Sequence, residues 1–348
     1  MQALYGKTLV ELEEICQHLS FPSYTAKQIA QWLYYHHINQ IDQMSNLSRV
    51  TRQRLKENFT IGLSSPVKVQ ISKDGTKKYL FETNEQRFIE TAYIPDKDRV
   101  TLCISSQVGC KMGCLFCMTG KQGFQANLNA NEILNQIRSL PEFHELTNIV
   151  FMGMGEPLDN IDNLMKSLEI LTSEWGYAWS SKRITVSSIG LLPALKTFLD
   201  NSRCHLAISL HSPFDEERKH LMPIQKVYPI NEIIQLLRTY DWSGQRRLSF
   251  EYIMLKGLND SLAHAKALLK LLNGLNCRLN LIRFHSFDDT QLESSTDETI
   301  HLFKDYLNSK NLLTTIRASR GQDISAACGL LSTKELIQQE NRKDSTSG

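Results

Sequence analysis

Cys110, Cys114 and Cys117 lie in the run Gly109-Cys110-Lys111-Met112-Gly113-Cys114-Leu115-Phe116-Cys117, three thiols spaced C-x3-C-x2-C with no fourth cysteine in the same short loop. A cubane iron–sulfur cluster takes four ligands, usually thiolates, so three from one loop leave one iron open to a ligand that is not protein. An open metal position implies chemistry. A structural zinc site on Cys114 and Cys117 is the alternative, because C-x2-C is a common zinc half-site. The second half is missing: Cys16, Cys103, Cys204, Cys277 and Cys328 are isolated, with no further C-x2-C or C-x2-H to complete a tetrahedron.

Other residues could serve such a centre. Gly153-Met154-Gly155-Glu156 follows the apolar run Ile149 to Met152; glycines there let a ligand approach the backbone, and Glu156 could receive an ammonium group. Ser187 and the segment Ser209-Leu210-His211 offer hydrogen bonds to a polar cosubstrate. Read alone, a G-x-G after a strand is often only a tight turn, and His211 and His285 each fit a satisfied structural histidine better than a ligand contact. Cys328 sits among small residues in Ala326-Ala327-Cys328-Gly329, a context that leaves its sulfur reachable, while most lone cysteines are buried small hydrophobes.

The elements that must position these residues can be read from periodicity. Up to about residue 60, apolar positions recur at helical spacing, as in Leu9, Leu12, Ile15, Leu19 and then Ile29, Trp32, Leu33, with Thr25 placed to cap the second helix. From about 66 to 95 the chain reads as short strands around a Lys73-Asp74-Gly75 turn, a small antiparallel element joining two domains. From residue 100 onward apolar strands alternate with amphipathic helices. Strands are expected at Val100–Ser106, Asn148–Gly153, Arg183–Ser188, Cys204–Leu210, Leu248–Leu255, Arg278–Phe284 and Leu313–Ala318. This is the sequence form of parallel βα units, about six of them, and in barrels reactive groups collect at the C-terminal strand ends. The cysteine loop, Glu156, Ser187 and Ser209 to His211 all fall on that rim. An open doubly wound sheet would also put ligands there.

The 348 residues are 41 % hydrophobic and 22 % charged, with a formal net charge of +2, ordinary for a soluble globular protein. No apolar core of secretory length opens the chain and no stretch approaches a spanning helix, so no membrane association is expected. The eight cysteines then read as reduced, cytoplasmic thiols. Arg49, Arg52, Arg54 and Lys56 form one basic run, Lys73, Lys77 and Lys78 flank a turn, and Arg246-Arg247 precede a strand-like segment; each, read alone, is better explained as a solvated face.

The C-x3-C-x2-C loop with Phe116 before its last cysteine resembles the signature of the radical S-adenosylmethionine (SAM) superfamily. The longer strings Thr101 to Cys110, Gly120-Lys121-Gln122-Gly123-Phe124, Gly153 to Leu158 and Ala326 to Gly329 together resemble the adenine-C2 RNA methyltransferase family, RlmN, over almost the whole chain. The resemblance implies an α/β fold: a partial (β/α)6 radical SAM barrel over 96–330, a helical RNA-binding accessory domain over 1–65, a β linker over 66–95, and a polar tail over 331–348. It implies a 4Fe-4S cluster on Cys110, Cys114 and Cys117, and SAM, two per turnover, held by Gly155, Glu156, Ser187, Ser209, Leu210, His211 and His285. Cys328 would take a methyl group from one SAM, and a 5'-deoxyadenosyl radical from the other would activate it for addition to adenine. Cys103 would resolve the adduct through a transient disulfide with Cys328, and Glu90 would accept a proton.

The implied substrates are adenosine 2503 of 23S rRNA and adenosine 37 of tRNA. The expected partners are those RNAs and a low-potential electron donor such as flavodoxin or ferredoxin, with the protein a monomer. The sister family Cfr, which methylates C8, would share every cysteine; Pro157, where Cfr is expected to carry Ala, points to C2. A cluster-bearing RNA-binding or redox-sensing protein is the non-catalytic alternative. Two positions depart from the family pattern: Leu330 stands where Gln is common, and His285 where Asn is common.

Overall fold

The structure, a computed structural model, describes residues 1–287 and 290–333. Strand β1 (Gln2–Ala3) is followed by helices α1 (Leu9–His18), α2 (Tyr24–Tyr34) and α3 (Arg49–Asn58), and β2 (Phe59–Thr60) returns to pair with β1 in parallel. Thr8 opens α1 with a reciprocal cap: its hydroxyl accepts from Glu11 N at 3.3 Å, and the Glu11 carboxylate accepts from Thr8 N at 2.8 Å. Thr25 does not cap α2; it is buried within the first turn. The basic run falls on α3, where most of it ties the helix down. Lys56 pairs with Asp42 at 2.9 Å, Arg52 donates to the carbonyls of Met44 and Leu47, and Arg54 lies over the Phe21 ring.

Strands β3 (Lys68–Ile71), β4 (Lys77–Glu82) and β5 (Phe88–Asp96) form an antiparallel meander. They do not stand apart as a linker: β5 pairs with β6 (Arg99–Cys103), aligning Ala92 with Cys103, so the meander extends the main sheet. A short hairpin of β7 (Gln107–Val108) and β8 (Ala126–Asn127) brackets the cysteine loop and α4 (Met118–Gln122). The chain then alternates: α5 (Ala130–Arg138), β9 (Asn148–Phe151), α6 (Ile161–Thr172), β10 (Ile184–Ser188), α7 (Leu192–Asn201), β11 (His205–Ser209), α8 (Asp215–Leu221), α9 (Ile230–Arg238), β12 (Leu248–Met254), α10 (Leu262–Leu272), β13 (Arg278–Arg283), α11 (Asp297–Ser309) and β14 (Thr314–Ile316). The sheet order is β14-β13-β12-β11-β10-β9-β6-β5-β4-β3, with β6 and β9 to β14 parallel. Six βα units and a closing strand are what the periodicity predicts.

The two faces of the parallel strands differ in kind. Leu102, Phe151, Val186, Leu206, Phe250 and Leu281 face the helices and belong to the main hydrophobic core. The alternate positions, Thr101 and Cys103, Thr185, Ser249 and Glu251, Asn280, Thr315 and Arg317, line an inner cavity of about 420 Å³. Closed eight-stranded barrels fill that space with branched apolar side chains. Here it stays open and polar: Thr315 Oγ1 donates to Asn280 Oδ1 at 2.8 Å, Asn280 Nδ2 to Glu251 Oε1 at 2.8 Å, and Arg317 Nη1 to Glu251 Oε2 at 3.4 Å. Among the described residues no helix is long and apolar enough to cross a membrane.

Candidate active site

The cysteine loop leaves β6 by way of β7, and its backbone is shaped by one glycine in particular. Gly109 has φ +72°, and a Cβ there would stand 1.7 Å from the Gly123 carbonyl oxygen, so no other residue fits. Cys110 and Cys114 are buried and Cys117 half-buried, in a shell that includes Met112, Ile189, Leu221, Met222 and Ile253. Burial pushes the Cys110 thiol up to about 12. The Cys114 thiol is also raised, by burial and then by Cys117 and Cys110, while Arg218 opposes the rise. Such sulfurs become thiolates when positive charge arrives among them, which is what bound iron supplies.

Among the described residues no three His, Cys, Asp or Glu side chains are placed to hold a single metal ion. The three thiols line one cavity, and in a cubane each thiolate binds its own iron.

A second cavity, of about 160 Å³, collects most of the predicted site. Cys110, Cys114, Cys117, Gly155, Glu156, Ser187, Ser209, His211 and Cys328 all line it. Gly153 and Gly155 are required for a reason other than ligand access. A Cβ on Gly153 would lie 2.7 Å from the Ile104 carbonyl, and one on Gly155 2.5 Å from Gln107 Cβ, so both glycines let this turn lie against the start of the cysteine loop. Glu156 is buried, with Oε1 accepting from Leu158 N at 3.1 Å and Oε2 from Ile189 N at 3.0 Å. Burial raises its carboxyl to about 7, opposed by those hydrogen bonds and by Ser188. His211 is buried and held neutral, pushed down to about 3 by burial and Arg218. Its Nδ1 accepts from Ile253 N at 3.0 Å, which leaves the Nε2 proton as its donor.

Four predicted residues lie elsewhere. Leu210 is fully buried in the main core and its side chain lines neither cavity. His285 lines the larger cavity only, with Ser319 Oγ 3.0 Å from its Nε2 and Gln322 Nε2 2.8 Å from its Nδ1. Cys103 also lines the larger cavity, packed with Ala92, Val150 and Ala326; burial and then Cys328 push its thiol up to about 12. Glu90 lines neither cavity. Its carboxylate is paired with Lys78 Nζ at 2.9 Å and accepts from Ser332 N at 2.9 Å. Replacing Lys78 with Met strips a buried carboxylate of its cation and lowers unfolding stability by about 3 kcal/mol. In the Glu90→Gln background the same change costs far less, and a double-mutant cycle in urea reads the difference.

Cys328 is the exposed member of the set, and it lines both cavities. Its loop is clasped from two sides. On the meander side, Gly321 N donates to Asp74 Oδ2 at 2.9 Å, Ser72 Oγ to Asp323 Oδ1 at 2.5 Å, and Arg320 pairs with Asp96 at 3.0 Å. On the cluster side, Met118 N donates to the Gly329 carbonyl at 2.8 Å and Thr119 Oγ1 to the Leu331 carbonyl at 2.6 Å. The expected linker is thus one jaw of the clamp that holds Cys328.

Three residues that shape the site are absent from the sequence-based expectations. Arg317 and Glu251 line both cavities and are joined at 3.4 Å; the alternation of polar Ser249 and Glu251 within an apolar strand is the signal that marks an open lumen. Arg218 is completely buried and donates to the carbonyls of Leu210, Ile189 and Ser209 and to the Gln225 side chain. It stitches the ends of β10 and β11 together beneath Ser209 and His211. Arg218→Met removes its bonds to the Ile189 and Ser209 carbonyls and to Gln225, while Leu210 O keeps Ser212 N, and lowers stability by about 3 kcal/mol, measured by thermal or urea unfolding.

Comparison with known proteins places this geometry. Residues 104–269 match the radical SAM superfamily, and residues 2–61 match the ribosomal RNA large subunit methyltransferase N-terminal domain. The chain is 57 % identical over 341 residues to a probable dual-specificity RNA methyltransferase RlmN of Bacteroides fragilis strain YCH46, covering 98 % of each chain. It belongs to the RlmN family. A relative from Syntrophus aciditrophicus, the dual-specificity RNA methyltransferase RlmN, is 44 % identical and covers 94 % of this chain and 96 % of that one. The crystal structure of a radical SAM methyltransferase from Sphaerobacter thermophilus superposes with a TM-score of 0.88 at 40 % identity, covering 95 % of this chain and 99 % of that one. RlmN proteins are radical SAM methyltransferases, and a 4Fe-4S cluster and SAM are the cofactors of that chemistry. The helices before residue 61 are the RlmN N-terminal domain, and the cysteine loop with β9 to β12 falls in the radical SAM domain.

Proposed function

We propose that this chain methylates C2 of adenosine 2503 in 23S rRNA and of adenosine 37 in tRNA. The observation that carries the reading is the position of Cys328, which borders Cys110, Cys114 and Cys117 in one cavity and Cys103 in the other. Adenine C2 is neither acidic nor nucleophilic, so a base-assisted SAM transfer has no lone pair to use. A carbon radical can add to it. The cluster held by Cys110, Cys114 and Cys117 supplies, when bound, the electron that splits SAM reductively.

The residues then divide the work. The Cys328 thiolate attacks the methyl carbon of a first SAM and releases S-adenosylhomocysteine, and its exposure suits it to meet both cosubstrate and RNA. Glu156, the Ser187 and Ser209 hydroxyls and the His211 Nε2–H present acceptors and donors to the cosubstrate that reacts at the cluster; Gly155 lines the same wall, and His285 borders the lumen beyond it. The 5'-deoxyadenosyl fragment of a second SAM would take a hydrogen atom from the S-methyl group on Cys328 and leave as 5'-deoxyadenosine, and the resulting carbon radical adds to C2 of adenine, so two SAM are used per turnover. Loss of one electron from the adduct, for which the cluster would serve as acceptor, and of the C2 proton, which Glu90 accepts, restores the aromatic ring; Ser332 N donates to that carboxylate, so the Cys328 loop shifts to uncover it. Cys103 attacks the sulfur of Cys328; the sulfur–carbon bond breaks with its electron pair going to the methylene carbon, which takes up a proton to become the methyl group, and a Cys103–Cys328 disulfide remains for an external dithiol to reduce.

The reading includes a cytoplasmic monomer fed by flavodoxin or ferredoxin. Mass spectrometry of nucleosides from RNA treated with the reconstituted enzyme gives 2-methyladenosine. 8-Methyladenosine in its place, or no methylated adenosine, contradicts it.

A further inference from the structure

The lumen has a second end. Arg99, His205 and Arg278 are the first residues of β6, β11 and β13, Arg247 directly precedes β12, and all four line the larger cavity at the strand ends away from the cysteine loop. The parallel register brings three of them together. Leu206 aligns with Leu248, which brings His205 next to Arg247, and Ser249 aligns with Arg278. Arg247 N donates to His205 Nδ1 at 3.0 Å, leaving the Nε2 proton of a buried imidazole as a neutral donor. The three arginines are exposed and close enough to act on one another and on His205: burial and then Arg278 and Arg99 lower Arg247, and burial and then the surrounding arginines push His205 down to about 4.

Like charges gathered at one mouth repel unless an anion joins them. Among the described residues no carboxylate is ion-paired with Arg99, Arg247 or Arg278. Asp96, opposite Arg99 in the β5–β6 register, is held by Arg320 at 3.0 Å, and Glu251, deeper in the lumen, by Asn280 and Arg317. Arginine tips of this kind suit phosphate oxygens. Between Arg99 and Cys103 the strand runs four residue steps, roughly 13 Å at the rise of a β-strand, a depth that an extruded nucleotide spans when its phosphates stay at the arginine tips.

We propose that this mouth is a phosphate clamp for RNA: Arg99, Arg247 and Arg278, with His205 Nε2–H, hold the backbone flanking the target adenosine, whose base enters the lumen from this end and reaches Cys328. The proposal rests on the RNA-methylating function above and adds the route and the contacts.

The test is the salt dependence of binding of a fluorescein-labelled tRNA anticodon stem-loop, read by fluorescence anisotropy on the reconstituted full chain. Each lost phosphate contact lowers the slope of log K against log salt by about 0.7 for single-stranded RNA. The R247Q/R278Q variant is expected to lower it by about 1.4, twice that amount, and to weaken binding at least about tenfold at low salt. R247K/R278K retains most of the slope. K266Q/K270Q, which removes two exposed charges from the outer helix α10, leaves the slope unchanged. Thermal melts of the variants confirm folding. A wild-type slope in R247Q/R278Q, or an equal loss in K266Q/K270Q, overturns the clamp and leaves the methyltransferase reading standing. Failure of the wild-type protein to bind the stem-loop overturns both.

Discussion

Cys103→Ala leaves the protein covalently joined to its RNA, and release of methylated product falls by about a thousandfold or more, the scale on which removal of a covalently acting residue is felt. The bond that persists runs from Cys328 sulfur through a methylene carbon to C2 of adenine, because no second thiol is present to cleave it. Geometry supports Cys103 in this task. It pairs on β6 opposite Ala92, packs against Ala326 two residues before Cys328, and shares the lumen with Cys328. Burial makes its thiolate costly to form, and Arg317, whose guanidinium is drawn to both Cys328 and Cys103, is the cation that offsets that cost. A denaturing gel of an anaerobic reaction shows the adduct as a nuclease-sensitive band. Adding Cys328→Ala to Cys103→Ala abolishes the band; persistence of an adduct in the double variant means that another residue carries the carbon.

Cys114→Ala has the second large effect. Two thiolates do not hold a cubane, so the variant retains little iron after anaerobic reconstitution, loses the visible absorbance of the cluster, and forms no 5'-deoxyadenosine above the protein-free control. The corresponding change at Cys16, buried in the core of the N-terminal helices, leaves iron content and SAM cleavage intact. If both variants lose iron alike, the loss reports misfolding and not ligation. The contrast is sharp because Cys114 sits in a loop packed around a cavity, whereas Cys16 is a small apolar group on α1.

The parallel strands were legible because each carries a run of apolar residues broken by turn signals, and their edges fall within a few residues of those read from the pattern. The polar lumen was written in the same strands. Leu248-Ser249-Phe250-Glu251-Tyr252 and Arg278-Leu279-Asn280-Leu281 alternate, which strands buried on both faces of a closed α/β sheet seldom do. The cysteine loop stands out by spacing alone, three thiols within eight residues.

Long-range contacts were not legible. Asp74 and Asp323 gain meaning only when the β3–β4 turn meets the Cys328 loop, about 250 residues away in sequence. Arg218 looks like part of a solvated charge run, Asp215 to Lys219, and nothing in that run signals that its one fully buried member braces the strand ends. On α3, local partners within the N-terminal helices engage most of the basic run, contacts its sequence does not announce.

The central claim is that the three-thiol loop leaves an iron to which SAM binds and is reductively cleaved. The direct measurement is 5'-deoxyadenosine formed by the anaerobically reconstituted chain with dithionite and SAM, beside its iron, sulfide and zinc content. Close to four irons and four sulfides per chain with steady 5'-deoxyadenosine production is the predicted result. Zinc in place of iron, or a full complement of iron that never yields 5'-deoxyadenosine, contradicts the account.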